Sequence, residues 1–289
     1  MIKNIFKLLL CIFVYSVVFL VVAAILPYSQ KFKELPASDN SLGILFIFIN
    51  AAWVCFTIFF IIKNSQLKGV KLYLVSAGVL FLIHTFMTQI ETLFFIHVFP
   101  GIIITDVILF MLRDLIALAL TTVLMVKFFQ NKEAVSETEK INIKSILIKL
   151  GIIGIIYTFV YMVFGYFVAW QFEELRVFYS GSAEKLSFFG QLANNIKTNP
   201  VIYPFQFIRG ILFSGAILPL LLSSTKKKIF IISVCFVYFT TATVLLIPNV
   251  LFPDMVRYGH LIEMSTSMTV FGLIVGNIMW INKKQRTCT

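Results

Sequence analysis

Apolar positions along this chain do not follow the stripe of an amphipathic helix or the alternation of a half-buried strand. They form long unbroken blocks separated by short polar connections. The blocks run Ile5–Leu26, Leu42–Ile62, Val70–Phe95, Gly101–Phe129, Ile146–Trp170, Val201–Leu222, Ile229–Phe252 and Gly259–Ile281. Each reaches the roughly 20 residues that carry an α-helix across the hydrocarbon of a bilayer. The pattern predicts an all-α, polytopic integral membrane helix bundle of about eight transmembrane helices. The first block is too long for a signal-peptide core and is read as a retained helix. The fourth is the least regular, since it holds Asp106, Arg113 and Asp114 and starts after Pro100-Gly101, where a bent or re-entrant entry is expected. Pro219 and Pro248 are expected to kink the sixth and seventh helices.

The connections set an expected orientation. With both termini inside, the inner segments hold Lys3, Lys7, Lys63, Lys68, Lys71, Lys127, Lys132, Lys140, Lys144, Lys149, Lys226–Lys228, Lys283, Lys284 and Arg286, which is 16 of the 24 Lys and Arg. The opposite side keeps Lys31, Lys33, Arg176, Lys185, Lys197 and Arg257. Basic residues in short loops mark the cytoplasmic face, so the expectation is N-in and C-in, in a bacterial cytoplasmic (inner) membrane. Two longer connections divide the chain further. Residues 130–145 read as a cytoplasmic linker between a first four-helix half (1–129) and a second (146–289). Residues 171–200 read as an extracytoplasmic loop in which Leu186–Leu192 forms a short amphipathic helix on the membrane surface.

Composition agrees with this picture and removes rivals. Of the 289 residues 60% are hydrophobic and 13% charged, against roughly a quarter charged in an ordinary soluble domain. Mean hydropathy is +0.96. The net charge of +11 does not point to nucleic acid, because the basic residues sit in short clusters at block ends, where they meet lipid phosphates. Cys11, Cys55 and Cys235 lie within apolar blocks and Cys288 near the C-terminus, with no metal-ligand or disulfide spacing.

Ionisable residues inside the blocks carry the chemical interest, since a charge at mid-bilayer costs roughly 2.5–3.5 kcal/mol on insertion scales. They are His84 and Glu91 in the third block, Asp106, Arg113 and Asp114 in the fourth, Gln206 and Arg209 in the sixth. His260 and Glu263 open the eighth. All fall in the half of the bilayer away from the termini. His84 and Glu91 are seven apart, as are Asp106 and Arg113, while Gln206 and Arg209, and His260 and Glu263, are three apart. Each pair therefore shares a helix face. The expectation is one outward-opening polar cavity formed by the third, fourth, sixth and eighth helices.

Three chemistries fit such a set. The acids and arginines can neutralise one another, Asp106 or Asp114 with Arg113 and Glu91 or Glu263 with Arg209, and lock the bundle. Alternatively His84, Glu91, His260 and Glu263 act as catalytic acid–base groups, with His84, His260 and Glu263 as ligands of Zn²⁺ or Fe²⁺. In the third, Arg113, Asp114, Gln206, Arg209 and Arg257 hold a small anion or a lipid headgroup. The overall reading leans to an intramembrane enzyme acting on a lipid or small anionic substrate. The alternatives are a transporter or binding protein and a non-catalytic partner subunit. His97 reads as a solvated interfacial residue. Gly151 and Gly154, and Gly272 and Gly276, read as close-packing positions, and Asn277 as an interhelical hydrogen bond.

Three segments carry a resemblance. Phe164-Gly165-Tyr166-Phe167-Val168-Ala169-Trp170-Gln171, Pro204-Phe205-Gln206-Phe207-Ile208-Arg209-Gly210 and Met255–Glu263 are similar to segments of a group of bacterial multi-pass membrane proteins with no assigned activity. The resemblance implies a shared fold and no particular chemistry, and it falls on Gln206, Arg209, Arg257, His260 and Glu263.

Overall fold

The computed structural model describes residues 2–36, 42–131, 142–224 and 226–281. Among these the chain is helical throughout, and eight helices are long and apolar enough to cross a membrane. They are α1 (Ile2–Ile25), α2 (Gly43–Asn64), α3 (Gly69–Phe94), α4 (Ile104–Phe129), α5 (Ile143–Gln171), α6 (Ile202–Ser223), α7 (Lys227–Leu246) and α8 (Asp254–Met279). Most of the expected linker, and the basic C-terminal positions Lys283, Lys284 and Arg286, lie outside the described residues.

Helix order around the bundle follows the contacts. α1 packs on α2 and α4, α2 on α4 and α7, α7 on α8, α8 on α5, and α5 on α6. α3 sits centrally, touching α2, α4, α6 and α7. The first and second four helices therefore meet along α2, α3, α6 and α7 rather than standing apart.

Glycines allow two of the closest approaches. A Cβ on Gly210 of α6 would lie 2.6 Å from the Cβ of Tyr157 and 2.9 Å from the Cα of Gly154 on α5. On α8, Gly272 and Gly276 face the α7 backbone, and an added Cβ would come within 3.1 Å of Cys235 Cα and 3.0 Å of Ile231 Cα. Gly151 differs from the expectation. It faces open space, so it has no close-packing role here.

The irregular segments also depart from the sequence pattern. α4 starts as a regular helix at Ile104 after the Pro100-Gly101 turn, with no re-entrant stretch. α6 breaks at Ile217 ahead of Pro219, into Ile202–Ala216 and Leu218–Ser223. Pro248 does not kink α7, because that helix already tightens into a 3₁₀ turn at Val244–Leu246 and stops before the proline. In α3, residues Phe81–Phe86 form a π-helical turn. Such turns insert an extra residue, and they concentrate at functional positions.

Between the spans, the connection after α5 holds two short helices, Glu173–Ser180 and Phe188–Thr198. The second begins at the Ser187 cap, whose hydroxyl accepts from the Gly190 N–H at 3.2 Å. It leaves Phe189 and Ile196 exposed, and it takes in part of the Leu186–Leu192 stretch expected to be helical, running on to Thr198.

Candidate functional site

The intramembrane ionisable residues fall into two sets on different sides of α3, rather than around one cavity. The first set centres on Arg113 and Asp114 of α4. The Arg113 Nε and Nη2 both reach Asp114 Oδ1 at 2.8 Å, and the Thr85 hydroxyl donates to Asp114 Oδ2 at 3.1 Å. The guanidinium lies 4.1 Å above the Phe19 ring of α1, a cation–π contact. His84 belongs to this region. The π turn places it so that Nδ1 lies 2.9 Å from the Thr240 carbonyl of α7. A carbonyl only accepts, so Nδ1 carries a proton and donates to it.

The second set lies toward the end of the bundle that carries the α3–α4, α5–α6 and α7–α8 connections. Arg209 of α6 is 1% exposed. Its Nη2 donates to Glu91 Oε2 of α3 at 2.8 Å and to the Met87 carbonyl at 3.2 Å, and its Nη1 donates to Gln206 Oε1 at 2.9 Å. The guanidinium is ringed by Tyr157, Phe205 and Phe213, each with its ring centre within 5.7 Å. Stacked rings of Phe94 and Phe205, 4.0 Å apart, lie beside it. Two buried donors, Arg209 Nε and the Gln206 Nε2 amide, find no acceptor among the described residues. Arg209 therefore carries one carboxylate partner and spare hydrogen-bonding capacity in a place without bulk water.

His260 and Glu263 complete this set from α8. The His260 Nε2 lies 2.9 Å from the Tyr179 hydroxyl, with the rings of Tyr179 and Phe252 edge-on to the imidazole. Tyr179 belongs to the loop helix Glu173–Ser180, and that helix is seated by Gly259. A Cβ there would come 2.8 Å from Leu175 Cδ1 and 3.0 Å from Phe172, so the glycine leaves room for these side chains of the loop segment to pack on α8 next to His260. Burial pushes the Tyr179 phenol above its ordinary value of 10.0. The hydroxyl keeps its proton and is held in hydrogen-bond contact with the His260 Nε2. Glu263 is 7% exposed and makes no ion pair among the described residues.

The remaining expected site residues are placed elsewhere. Asp106 does not pair with Arg113. It caps the start of α4, accepting from the Ser29 N–H at 2.7 Å, the Ser29 hydroxyl at 2.6 Å and the Ile103 N–H at 3.0 Å. Arg257 is not with Arg113 or Arg209 either. Its Nη1 donates to the Leu245 and Leu246 carbonyls at 3.0 Å each, and its Nη2 donates to Asp254 at 2.7 Å. It closes the end of α7, whose last carbonyls have no helical partners and carry the negative end of the dipole. Asn277 bonds within its own helix, to the Leu273 carbonyl at 2.9 Å, rather than across to another. Arg176 is likewise held by backbone carbonyls, those of Trp170, Gln171 and Ala183.

The proposed Zn²⁺ or Fe²⁺ ligands do not assemble. His84 faces Thr240 in the first set, while His260 and Glu263 belong to the second. Among the described residues no group of three His, Cys, Asp or Glu side chains is arranged to hold a metal ion. No protein-family model, curated protein or solved structure matches this chain. Sequence reasoning reached Glu91, Gln206, Arg209, His260 and Glu263, but not Tyr179. That tyrosine sits in a polar stretch with no hydropathy signal, and only its position four residues after Leu175 hinted that both face the bundle.

Proposed function

We propose that this chain is an inner-membrane protein, with both termini cytoplasmic, that binds an anionic group at the Glu91–Arg209–His260–Glu263–Tyr179 set and carries out acid–base chemistry on it. The observation that carries this reading is the pair of buried, unpartnered donors on Arg209 and Gln206. A guanidinium in the bilayer that served only to neutralise Glu91 would lose nothing by having its remaining donors satisfied within the fold, since a buried donor left unpaired costs about 1–3 kcal/mol. A phosphate or carboxylate offers acceptors to both.

Within that reading Arg209 and Gln206 orient the anion, and Glu91 holds the guanidinium in place. His260, with Tyr179 fixing its Nε2, and the unpaired Glu263 exchange protons with the bound molecule. Lipid headgroups and small anions share this chemistry, and Glu91, whose side chain is 28% exposed, marks the edge at which either would enter. A transport reading draws support from one feature, the break in α6 at Ile217 together with the π turn of α3, because interrupted helices recur in alternating-access proteins.

The test is ligand-dependent thermal stability in detergent, with phosphatidylglycerol, phosphatidylcholine and inorganic phosphate as probes. A hundredfold excess over the dissociation constant adds about 2.7 kcal/mol. The expected result is stabilisation by phosphatidylglycerol or phosphate, absent with phosphatidylcholine and lost in Arg209→Gln. Equal stabilisation of the wild type and Arg209→Gln would contradict the reading. Uptake of labelled phosphate into proteoliposomes separates the transport version from the enzymatic one.

A further inference from the structure

Hydroxyl groups in membrane helices ordinarily bond back to their own helix. Most here do so. Ser16 bonds to Ile12, Ser214 to Gly210, Ser233 to Ile229 and Thr241 to Tyr238. Four serine and threonine hydroxyls find no partner at all among the described residues. They are those of Thr57 of α2, Ser76 of α3, and Thr121 and Thr122 of α4, all fully buried.

Their depth is the telling feature. Counted from the terminus-side ends of their helices, at Asn64, Gly69 and Phe129, the four lie seven or eight residues in, or about 10–12 Å at 1.5 Å per residue. They therefore form one layer where α2, α3 and α4 pack together. A second layer lies about 10 Å further in, by the same rise. There the Tyr15 hydroxyl and the Asn50 Nδ2 are also buried; they lie close enough to interact with each other, yet neither is fully satisfied among the described residues. Asn50 and Thr57 are seven apart on α2, and Asp114 and Thr121 are seven apart on α4. Each pair lies on one helix face, so the faces that converge on Tyr15 continue down to the hydroxyl layer.

Four neutral hydroxyls, a phenol and an amide offer both donors and acceptors without net charge, which suits water rather than an ion. Buried water characteristically satisfies two to four such groups. We propose that α1–α4 enclose a file of bound water running from the Thr57–Ser76–Thr121 layer up to Asn50, Tyr15 and Asp114. This file is separate from the anion site on the other side of α3.

Water-edited solid-state NMR on the full chain in bilayers, labelled with ¹³C-threonine, tests it. Thr57 and Thr121 are assigned by the peaks lost in Thr57→Ser and Thr121→Ser. Water magnetisation is expected to reach both at least threefold faster than it reaches Thr241, which is equally buried but satisfied by its own helix. Build-up no faster than at Thr241 would overturn the proposal. The isostere Thr121→Val supplies a second readout. Removing a hydrated hydroxyl lowers the melting temperature, whereas removing a dry, orphaned one raises it, and a rise also overturns the proposal.

Discussion

Individual side chains show how burial without context overstates a site. Asp106, Arg113, Arg209 and Arg257 look alike in the sequence, as charges inside apolar blocks. Their partners differ in kind. Asp106 is consumed by backbone groups at a helix start and Arg113 by the adjacent Asp114. Arg257 and Arg209 each keep an unpartnered Nε among the described residues. Arg257, however, is held by the α7 carbonyls and a carboxylate of its own helix, whereas Arg209 sits beside a carboxylate from another helix and the unpartnered Gln206 amide. Helix-end roles were hard to read because the sequence places block edges to within a few residues. For Arg257 that margin decides between a mid-membrane charge and a cap on α7. Its role predicts a stability effect. Arg257→Leu strips the Leu245 and Leu246 carbonyls and the Asp254 carboxylate of a charged donor at once. Hydrogen bonds to charged groups contribute about 1.5–3 kcal/mol each. The expected loss is about 2–4 kcal/mol in thermal or denaturant unfolding, with binding at the Arg209 site unchanged. A variant as stable as the wild type would show that the arginine is not a cap.

At the scale of elements, hydrophobic length alone located every spanning helix, because a helix that satisfies its own backbone groups within lipid must still present about 20 mostly apolar side chains to the hydrocarbon. Local irregularities escaped that argument. The π turn at Phe81–Phe86 leaves no mark on hydropathy, yet it aims His84 at α7 instead of toward His260. The same limit applies to glycine. Gly151 and Gly154 are equivalent by composition, three residues apart on one helix, but only Gly154 meets another backbone. The contrast is testable. Gly151→Ala should be neutral or stabilising by up to about 1 kcal/mol from helix propensity, since an added Cβ meets nothing within 4 Å. Gly210→Leu should push α6 off α5 and lower the melting temperature by several degrees. Equal tolerance of both would mean that α5 and α6 do not pack through Gly154 and Gly210.

For the molecule as a whole, the two polar sets divide labour between the sides of α3. The set around Arg113 and Asp114 joins α1, α3, α4 and α7 into one body. The set around Arg209 joins α3 and α6 and is finished by a loop helix carried over α8. The single outward cavity expected from residue depth was therefore half legible. Depth along a helix follows from counting residues, but the direction a side chain faces depends on packing order, and α3 separates groups that lie at similar depth.

The central claim is that the Arg209 set exists to bind an anion rather than only to hold the bundle together. A paired substitution, Glu91→Leu with Arg209→Met, separates the two. Replacing both partners of a buried ion pair with apolar residues is often neutral for stability, whereas removing one costs about 3–5 kcal/mol. The measurement is phosphatidylglycerol- and phosphate-dependent melting of the double variant beside the wild type. The account predicts a double variant that folds with near-wild-type stability and has lost the ligand-dependent rise. A double variant that folds and keeps the full rise would contradict it and leave the pair as a structural lock.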